Sequence, residues 1–171
     1  SCCSTNIVTG HGVPQFSAVL DCSYAADKCG AHIVADGGIK TSGDIVKAFA
    51  AGCDLVMVGS LLSGTNETPG KFIETSKGKM KEYRGMASSA AMSNRPDQNN
   101  TYTPTAEGVK ALVSAKGSAV DVINDLTKGL KSGMSYCNAF NIEDININAR
   151  WGVRTMSGLH DGKPHILGTV I

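Results

Sequence analysis

Two short, uninterrupted apolar runs stand out along the chain: His32-Ile33-Val34-Ala35 and Leu55-Val56-Met57-Val58. Each is bounded by glycine and each follows a stretch with helical spacing, so both predict buried strands that pair in parallel under helices. The first helix is expected over roughly Gln15 to Cys29, with Val19, Leu20, Ala26 and Cys29 on one face and Gly30 as its stop. The second runs from a Ser42 cap through Ala51, with Ile45, Val46 and Phe49 turned inward and Gly52 closing it. The fifteen residues before them, punctuated by Gly10, Gly12 and Pro14, are expected to be loop.

Past Gly64 the rhythm changes. Lys71 to Thr75 and Lys79 to Tyr83 flank Ser76-Lys77-Gly78, which predicts a β-hairpin. Ala87 to Thr105 is polar and turn-rich and is expected to form a mobile surface loop. A third helix is predicted over about Ser118 to Met134, with Val120, Ile123, Leu126, Leu130 and Met134 as its apolar stripe and Ser118 and Asp121 at capping-box spacing. Asn141 caps a short helix holding Ile142 and Ile145, and Val153 to Ile171 reads as loop with a possible strand.

Composition changes this picture little. With 42% hydrophobic residues the chain can fill a core. Its formal net charge of +1 gives no footprint for nucleic acid. Lys71 to Arg84 is a loose basic cluster alternating with Glu74 and Glu82, and is expected to be a solvated hairpin face. No apolar run approaches the length of a membrane span, and no signal-peptide pattern is visible at Ser1-Cys2-Cys3-Ser4. The six cysteines include no CxxC pair and no zinc spacing, which predicts reduced thiols. Cys22, Cys29 and Cys53 are expected to be small buried hydrophobes.

Candidate chemistry gathers where the two strands end, at Asp36-Gly37-Gly38 and Gly59-Ser60. Glycine there admits a ligand close to the backbone, and N–H groups at a following helix start attract phosphate. In eight-stranded β/α barrels the phosphate commonly sits after strands 7 and 8. Two strands cannot close a barrel, so the chain is either a smaller α/β sheet or the end of something longer.

An ordered set of motifs bears on that choice: Ser1-Cys2-Cys3-Ser4-Thr5, Gly10-His11-Gly12-Val13-Pro14-Gln15, Ala35-Asp36-Gly37-Gly38-Ile39, Ser42-Gly43-Asp44-Ile45, Gly59 to Thr65, and Tyr83-Arg84-Gly85-Met86. It continues through Ala106-Glu107-Gly108-Val109, Lys116-Gly117, Gly129 to Cys137 and Gly158 to His165. In order and spacing the set resembles the IMP dehydrogenase/GMP reductase family, over nearly the whole chain. The resemblance implies the last two or so βα units of a (β/α)8 TIM barrel. Residues 1–15 would be the catalytic loop, 16–68 the βα units with the phosphate site, 69–109 the hairpin and flap, and 110–171 the final helix and tail.

It also implies hydride transfer between a purine ribonucleoside monophosphate (IMP, XMP or GMP) and NAD or NADP. Cys3 matches the nucleophile that bonds to the purine ring; the chemistry needs a thiolate because its addition makes a tetrahedral carbon able to release hydride. Thr5 matches the threonine implicated in acid/base work, and Asp36 the carboxylate that takes the ribose hydroxyls. Ser1, Gly38, Gly59, Ser60 and Tyr83 match the phosphate site, Met86, Ala87, Glu107 and Gly108 the purine-contacting segments, and Gly37 and Gly85 are nucleotide-binding beside them. Backbone carbonyls of Cys3, Asp161, Gly162 and Lys163 match a potassium site.

The branch of the family is balanced. The short flap has no Arg-Tyr pair (Arg95 and Tyr102 are six residues apart), which favours the reductase; yet no acid follows Met86, and Gly133 to Cys137 leans to the dehydrogenase. IMP dehydrogenase is slightly favoured. Asn6 stands where a basic residue is common. The expected setting is the cytoplasm, with an N-terminal polypeptide completing the barrel, a homotetramer when complete, and a chain inactive alone; a nucleotide-binding fragment without activity of its own is the alternative from another class.

Overall fold

The computed structural model describes residues 3–92, 106 and 108–163. Helices cover one face of a two-stranded parallel sheet. α2 (Gln15–Asp27) leads to β1 (Val34–Asp36), α3 (Ser42–Ala50) returns to β2 (Leu55–Met57), and the strands pair with Val34 opposite Leu55 and Asp36 opposite Met57. Ala35 and Val56 face the helices, and Ala35 is 1% exposed. The other face, Val34, Leu55 and Met57, is open to solvent at 46%, 60% and 54%. Apolar side chains on both faces are the pattern of a strand meant to be covered twice.

α3 is the hub of the core. Its start is set by a reciprocal capping box in which Thr41 accepts the Asp44 N–H while the Asp44 carboxylate accepts the Thr41 N–H; the expected Ser42 cap is one residue late. Ile45, Ala48 and Phe49 are buried, and Ile145 from α6 (Ile142–Asn148) meets them with no exposure at all. α6 has the predicted Asn141 cap, here completed by Asp144. α5 (Ala119–Tyr136) lies close across α3: a Cβ on Gly129 would strike Ser42, and one on Gly133 would strike Val46. Only its C-terminal part is packed there, through Leu126, Leu130 and Met134. Val120 and Ile123, predicted for the same stripe, are 61% and 50% exposed.

The start of α5 is also held differently from the expected Ser118/Asp121 box. Ser118 accepts from Val120 N–H, and the acid comes from afar: the Glu67 carboxylate accepts the Ala119 N–H at 2.8 Å and the Ser118 hydroxyl at 3.1 Å.

The hairpin forms as predicted, from β3 (Phe72–Thr75) and β4 (Gly78–Arg84), and gains an unanticipated third strand, β5 (Lys110–Ser114), antiparallel to β4. Its basic face is not wholly solvated. Lys81 is 1% exposed, its ammonium 4.6 Å from the Phe72 ring centroid and bonded to the carbonyls of Thr65 (2.7 Å) and Asn66 (3.1 Å).

Three further expectations need correction. The opening segment contains a short helix, α1 (Thr5–Thr9), ended by Gly10. A short helix, α4 (Ser89–Met92), lies at the start of the expected flap loop, whose residues 93–105 lie outside the described residues. The tail forms α7 (Met156–Asp161), capped by Thr155 rather than extended, while 164–171 lie outside. Among the cysteines of the described residues only Cys53 is fully buried, as predicted; Cys22 is exposed because α2 turns only Val19, Ser23 and Ala26 to the core, and Cys29 is exposed beyond the end of that helix.

Candidate functional site

The first turn of the chain aims Cys3 at the end of β1. Cys3 lines a cleft of about 720 Å³ together with Asn6, Gly12, Gln15 and the Asp36-Gly37-Gly38 strand end. Its thiol lies 3.1 Å from the Thr5 hydroxyl. The loop folds back on itself: Gly12 is the residue whose missing Cβ makes room for the Asn6 side chain. Gly37 and Gly38 have φ of 102° and 76°, a backbone that a side-chain-bearing residue adopts only under strain.

The described residues on either side of 93–105 meet the cysteine loop. Gly108 makes an antiparallel bridge to Cys3 and a parallel bridge to Ser88. Ser88, 2% exposed, donates its hydroxyl to the Gly85 carbonyl at 2.6 Å, and Gly85 N–H donates to Val109 O at 3.1 Å. Both stems of the flap are thereby tied to the cysteine loop, with Met86 and Ala87 exposed at the turn between Gly85 and Ser88.

A second cluster forms where β2 ends. The Tyr83 hydroxyl lies 3.4 Å from where a Gly59 Cβ would be, so the Tyr83 side chain reaches over to the loop at Gly59. Among the described residues, the N–H groups of Gly59, Ser60 and Leu61 meet no acceptor, whereas the carbonyls of Gly59, Ser60 and Leu62 are all engaged by donors within the turn. Successive free N–H groups make an anion-binding concavity.

The helix start expected to serve that purpose is already occupied. Asp44 sits on the N-terminus of α3 and accepts the N–H groups of Lys40 and Thr41. Its partial burial works against ionisation, but those N–H bonds, the Thr41 hydroxyl and Lys47 outweigh it and hold the carboxyl below its ordinary value. α3 thus carries its own anion.

Of the residues singled out from sequence, the structure gathers Cys3, Asp36, Gly37 and Gly38 in one cleft and joins Gly108 to Cys3. Gly59 and Tyr83 meet in the second cluster. Ser1 and Glu107 lie outside the described residues. Asp161 ends α7, Gly162 caps it and Lys163 follows; none of the three lines the cleft. Among the described residues no three His, Cys, Asp or Glu side chains converge on a metal position, and no helix is long and apolar enough to cross a membrane. Two lysines on the second cluster, Lys81 and Lys116, carried no distinguishing sequence signal beyond the Lys116-Gly117 pair; a lysine in an alternating charged strand reads as solvated.

Residues 1–165 match the family model described as the IMP dehydrogenase / GMP reductase domain. The chain belongs to that family. It is 42% identical to an inosine-5'-monophosphate dehydrogenase of Nitrosopumilus maritimus over 96% of its own length and 36% of that protein's. It is also 42% identical to a GMP reductase of Leishmania major, over 96% of the chain and 35% of the relative. Among solved structures it is similar to a cysteine-to-alanine variant of GMP reductase from Trypanosoma brucei in complex with guanosine 5'-monophosphate, with a TM-score of 0.89 and 41% identity over 98% of this chain and 35% of that one. The chain therefore spans about a third of the length of the relatives it matches. The IMP dehydrogenase/GMP reductase family is one of NAD(P)-dependent oxidoreductases of purine metabolism, and the α/β fold is shared with its reductase member.

Proposed function

We propose that this chain forms the nucleotide-holding part of a purine ribonucleoside monophosphate oxidoreductase and supplies its nucleophile, Cys3. The observation that carries the reading is the cleft itself, in which the Cys3 side faces the Asp36-Gly37-Gly38 strand end while the Cys3 backbone is bridged to Gly108. Its volume of about 720 Å³ falls in the range of small-molecule sites.

In this mechanism Asp36 accepts the two ribose hydroxyls. Gly37, Gly38, Gly59, Ser60 and Tyr83, together with Ser1, hold the phosphate. Gly85, Met86, Ala87 and Gly108, together with Glu107, meet the purine edge. The Cys3 thiolate adds to an electron-poor ring carbon, which becomes tetrahedral and can then lose hydride. A bound nicotinamide cofactor supplies the hydride acceptor, or the donor in the reverse sense. Thr5, hydrogen-bonded to Cys3, serves acid/base transfer at the thiol and the ring. A nicotinamide would reach the ring carbon bonded to Cys3 from this cleft, where Cys3 and Asn6 are lining residues. The carbonyls of Asp161, Gly162 and Lys163, at the end of α7, and that of Cys3 would supply oxygen ligands of the kind a potassium ion takes.

The chain works, on this reading, as the last βα units of a TIM barrel completed by an N-terminal polypeptide, and the completed protein is a cytoplasmic homotetramer. The uncovered Val34, Leu55 and Met57 face supports this, since it lies where the interior of a closed barrel would be. Dehydrogenation of IMP to XMP is favoured because residues 87–91, Ala-Ser-Ser-Ala-Ala, place no acid after Met86. Reduction of GMP to IMP and ammonia is the second reading, favoured by the absence of an Arg-Tyr pair in the flap sequence. Product analysis of the assembled protein separates them: XMP from IMP with NAD, or IMP and ammonia from GMP with NADPH. Mass spectrometry with a reactive nucleotide analogue should find the adduct on Cys3, and Cys3→Ala should abolish turnover while nucleotide still binds. Full activity in Cys3→Ala overturns the mechanism.

A further inference from the structure

The phosphate loop after β2 is gripped from its carbonyl side by two ammonium groups. We infer that Lys116 and Lys81 are positioning residues that aim this loop at a nucleotide phosphate, an inference that rests on the nucleotide reading above. Lys116 Nζ donates to Ser60 O at 3.3 Å and to Leu61 O at 2.9 Å. Lys81 Nζ takes the far end of the same loop, at Thr65 O and Asn66 O. Within the loop, Leu62 N–H donates to Gly59 O, and both the N–H and the hydroxyl of Ser63 donate to Ser60 O.

The consequence follows from peptide geometry. In a planar trans peptide the N–H points opposite to the C=O. The Leu62 N–H on Gly59 O thus turns the Ser60 N–H away from it, and Lys116 on Ser60 O does the same for the Leu61 N–H. Those are the amides that meet no acceptor among the described residues. Lys116 belongs to the segment just past β5, and its own N–H donates to Gly64 O at 2.9 Å, so side chain and backbone of one residue hold both shoulders of the turn.

Lys81 and Tyr83, two residues apart on β4, project from one face of that strand. Lys81 holds residues 65 and 66 while the Tyr83 hydroxyl rests by Gly59, so one strand spans the loop from end to end. Neither ammonium needs to touch the phosphate to be required for its binding.

Lys116 is exposed, so its replacement leaves the core untouched. In the native assembly, Lys116→Gln should raise KM for the nucleoside monophosphate by about tenfold, the loss of a charge-assisted hydrogen bond to the loop. Because the phosphate is bound alike before and during reaction, kcat should change by less than about threefold. Lys116→Arg should keep KM within about threefold of the parent. Inosine and guanosine, which lack the phosphate, should inhibit the parent and Lys116→Gln equally. Lys81→Met should raise KM in the same sense, with a lowered melting temperature because that site is buried. An unchanged KM in Lys116→Gln, an equal loss of nucleoside inhibition, or a collapse of kcat at constant KM each overturns the positioning role. Failure of the parent protein to bind IMP or GMP overturns the nucleotide reading first and this inference with it.

Discussion

Gly64 is where the loop after β2 is pressed against the three-stranded sheet, and its replacement by alanine measures how tight that contact is. Its φ is 84°, its carbonyl accepts the Lys116 N–H, and a Cβ would fall inside the 3.0 Å limit from the Ser114 carbonyl oxygen while also lying 3.3 Å from the carbonyl carbon. The obstacle is backbone on both sides, so no rotamer relieves it. The left-handed backbone alone costs a side chain about 1–2 kcal/mol. Retreat of the loop also weakens Lys116 N–H to Gly64 O and Asn66 N–H to Gly117 O (2.7 Å), each worth about 1 kcal/mol. Gly30→Ala is the control: its φ is 66° and nothing lies within 4 Å of its Cβ. Strain and the lowered entropy of the unfolded chain are then shared by the two variants, and their difference isolates the collision, about 2 kcal/mol or more. For a cooperative unit of this size that corresponds to roughly 4–8 °C in calorimetry, and to less in a larger assembly. KM for the nucleotide should rise in Gly64→Ala alone. Coincident melting curves for the two variants would refute the close approach on which the loop's placement depends.

Ile145→Ala should cost about 2–5 kcal/mol in urea unfolding, since the side chain is wholly buried between α6 and α3 and leaves a cavity the helices cannot close. Asp44→Asn should flatten the acid limb of stability: a carboxyl held below its ordinary value of 3.8 in the fold stabilises above that pH, and the contribution fades as pH falls through the lowered value. Equal acid sensitivity in the two proteins would sink that assignment. Thiol mapping with iodoacetamide near pH 8 should label Cys22 and Cys29 quickly and Cys53 slowly, because burial pushes the Cys53 thiol above its usual 9.0 and denies access.

What the sequence displayed well was periodic. The parallel pair, the helices before each strand and the hairpin follow from apolar spacing, and Asn141 from a side chain acting within its own turn. The failures share a physical cause, partners far apart in the chain. Glu67 caps α5 from 52 residues away, a contact that displaces the local Ser118/Asp121 pair. β5 is short, and becomes a strand because the edge of β4 is open to it. Lys81 looks solvated in an alternating hairpin until the carbonyls of Thr65 and Asn66 arrive above it. For the site, motif order brought Cys3, Asp36 and Gly108 to attention, while the holding of the loop by Lys116 is invisible without the fold because it ends on backbone carbonyls, which carry no residue identity.

The molecule has two centres of order that use different physics. One is greasy, around Ala35, Phe49 and Ile145; the other is polar, around Lys81, Thr65 and Glu67, and sits against the loop after β2. Loosening of the first by repacking need not slacken the second, whose geometry is fixed by directional bonds. Helix sequences can therefore drift, along with stability, while the shape offered to an incoming anion stays constant.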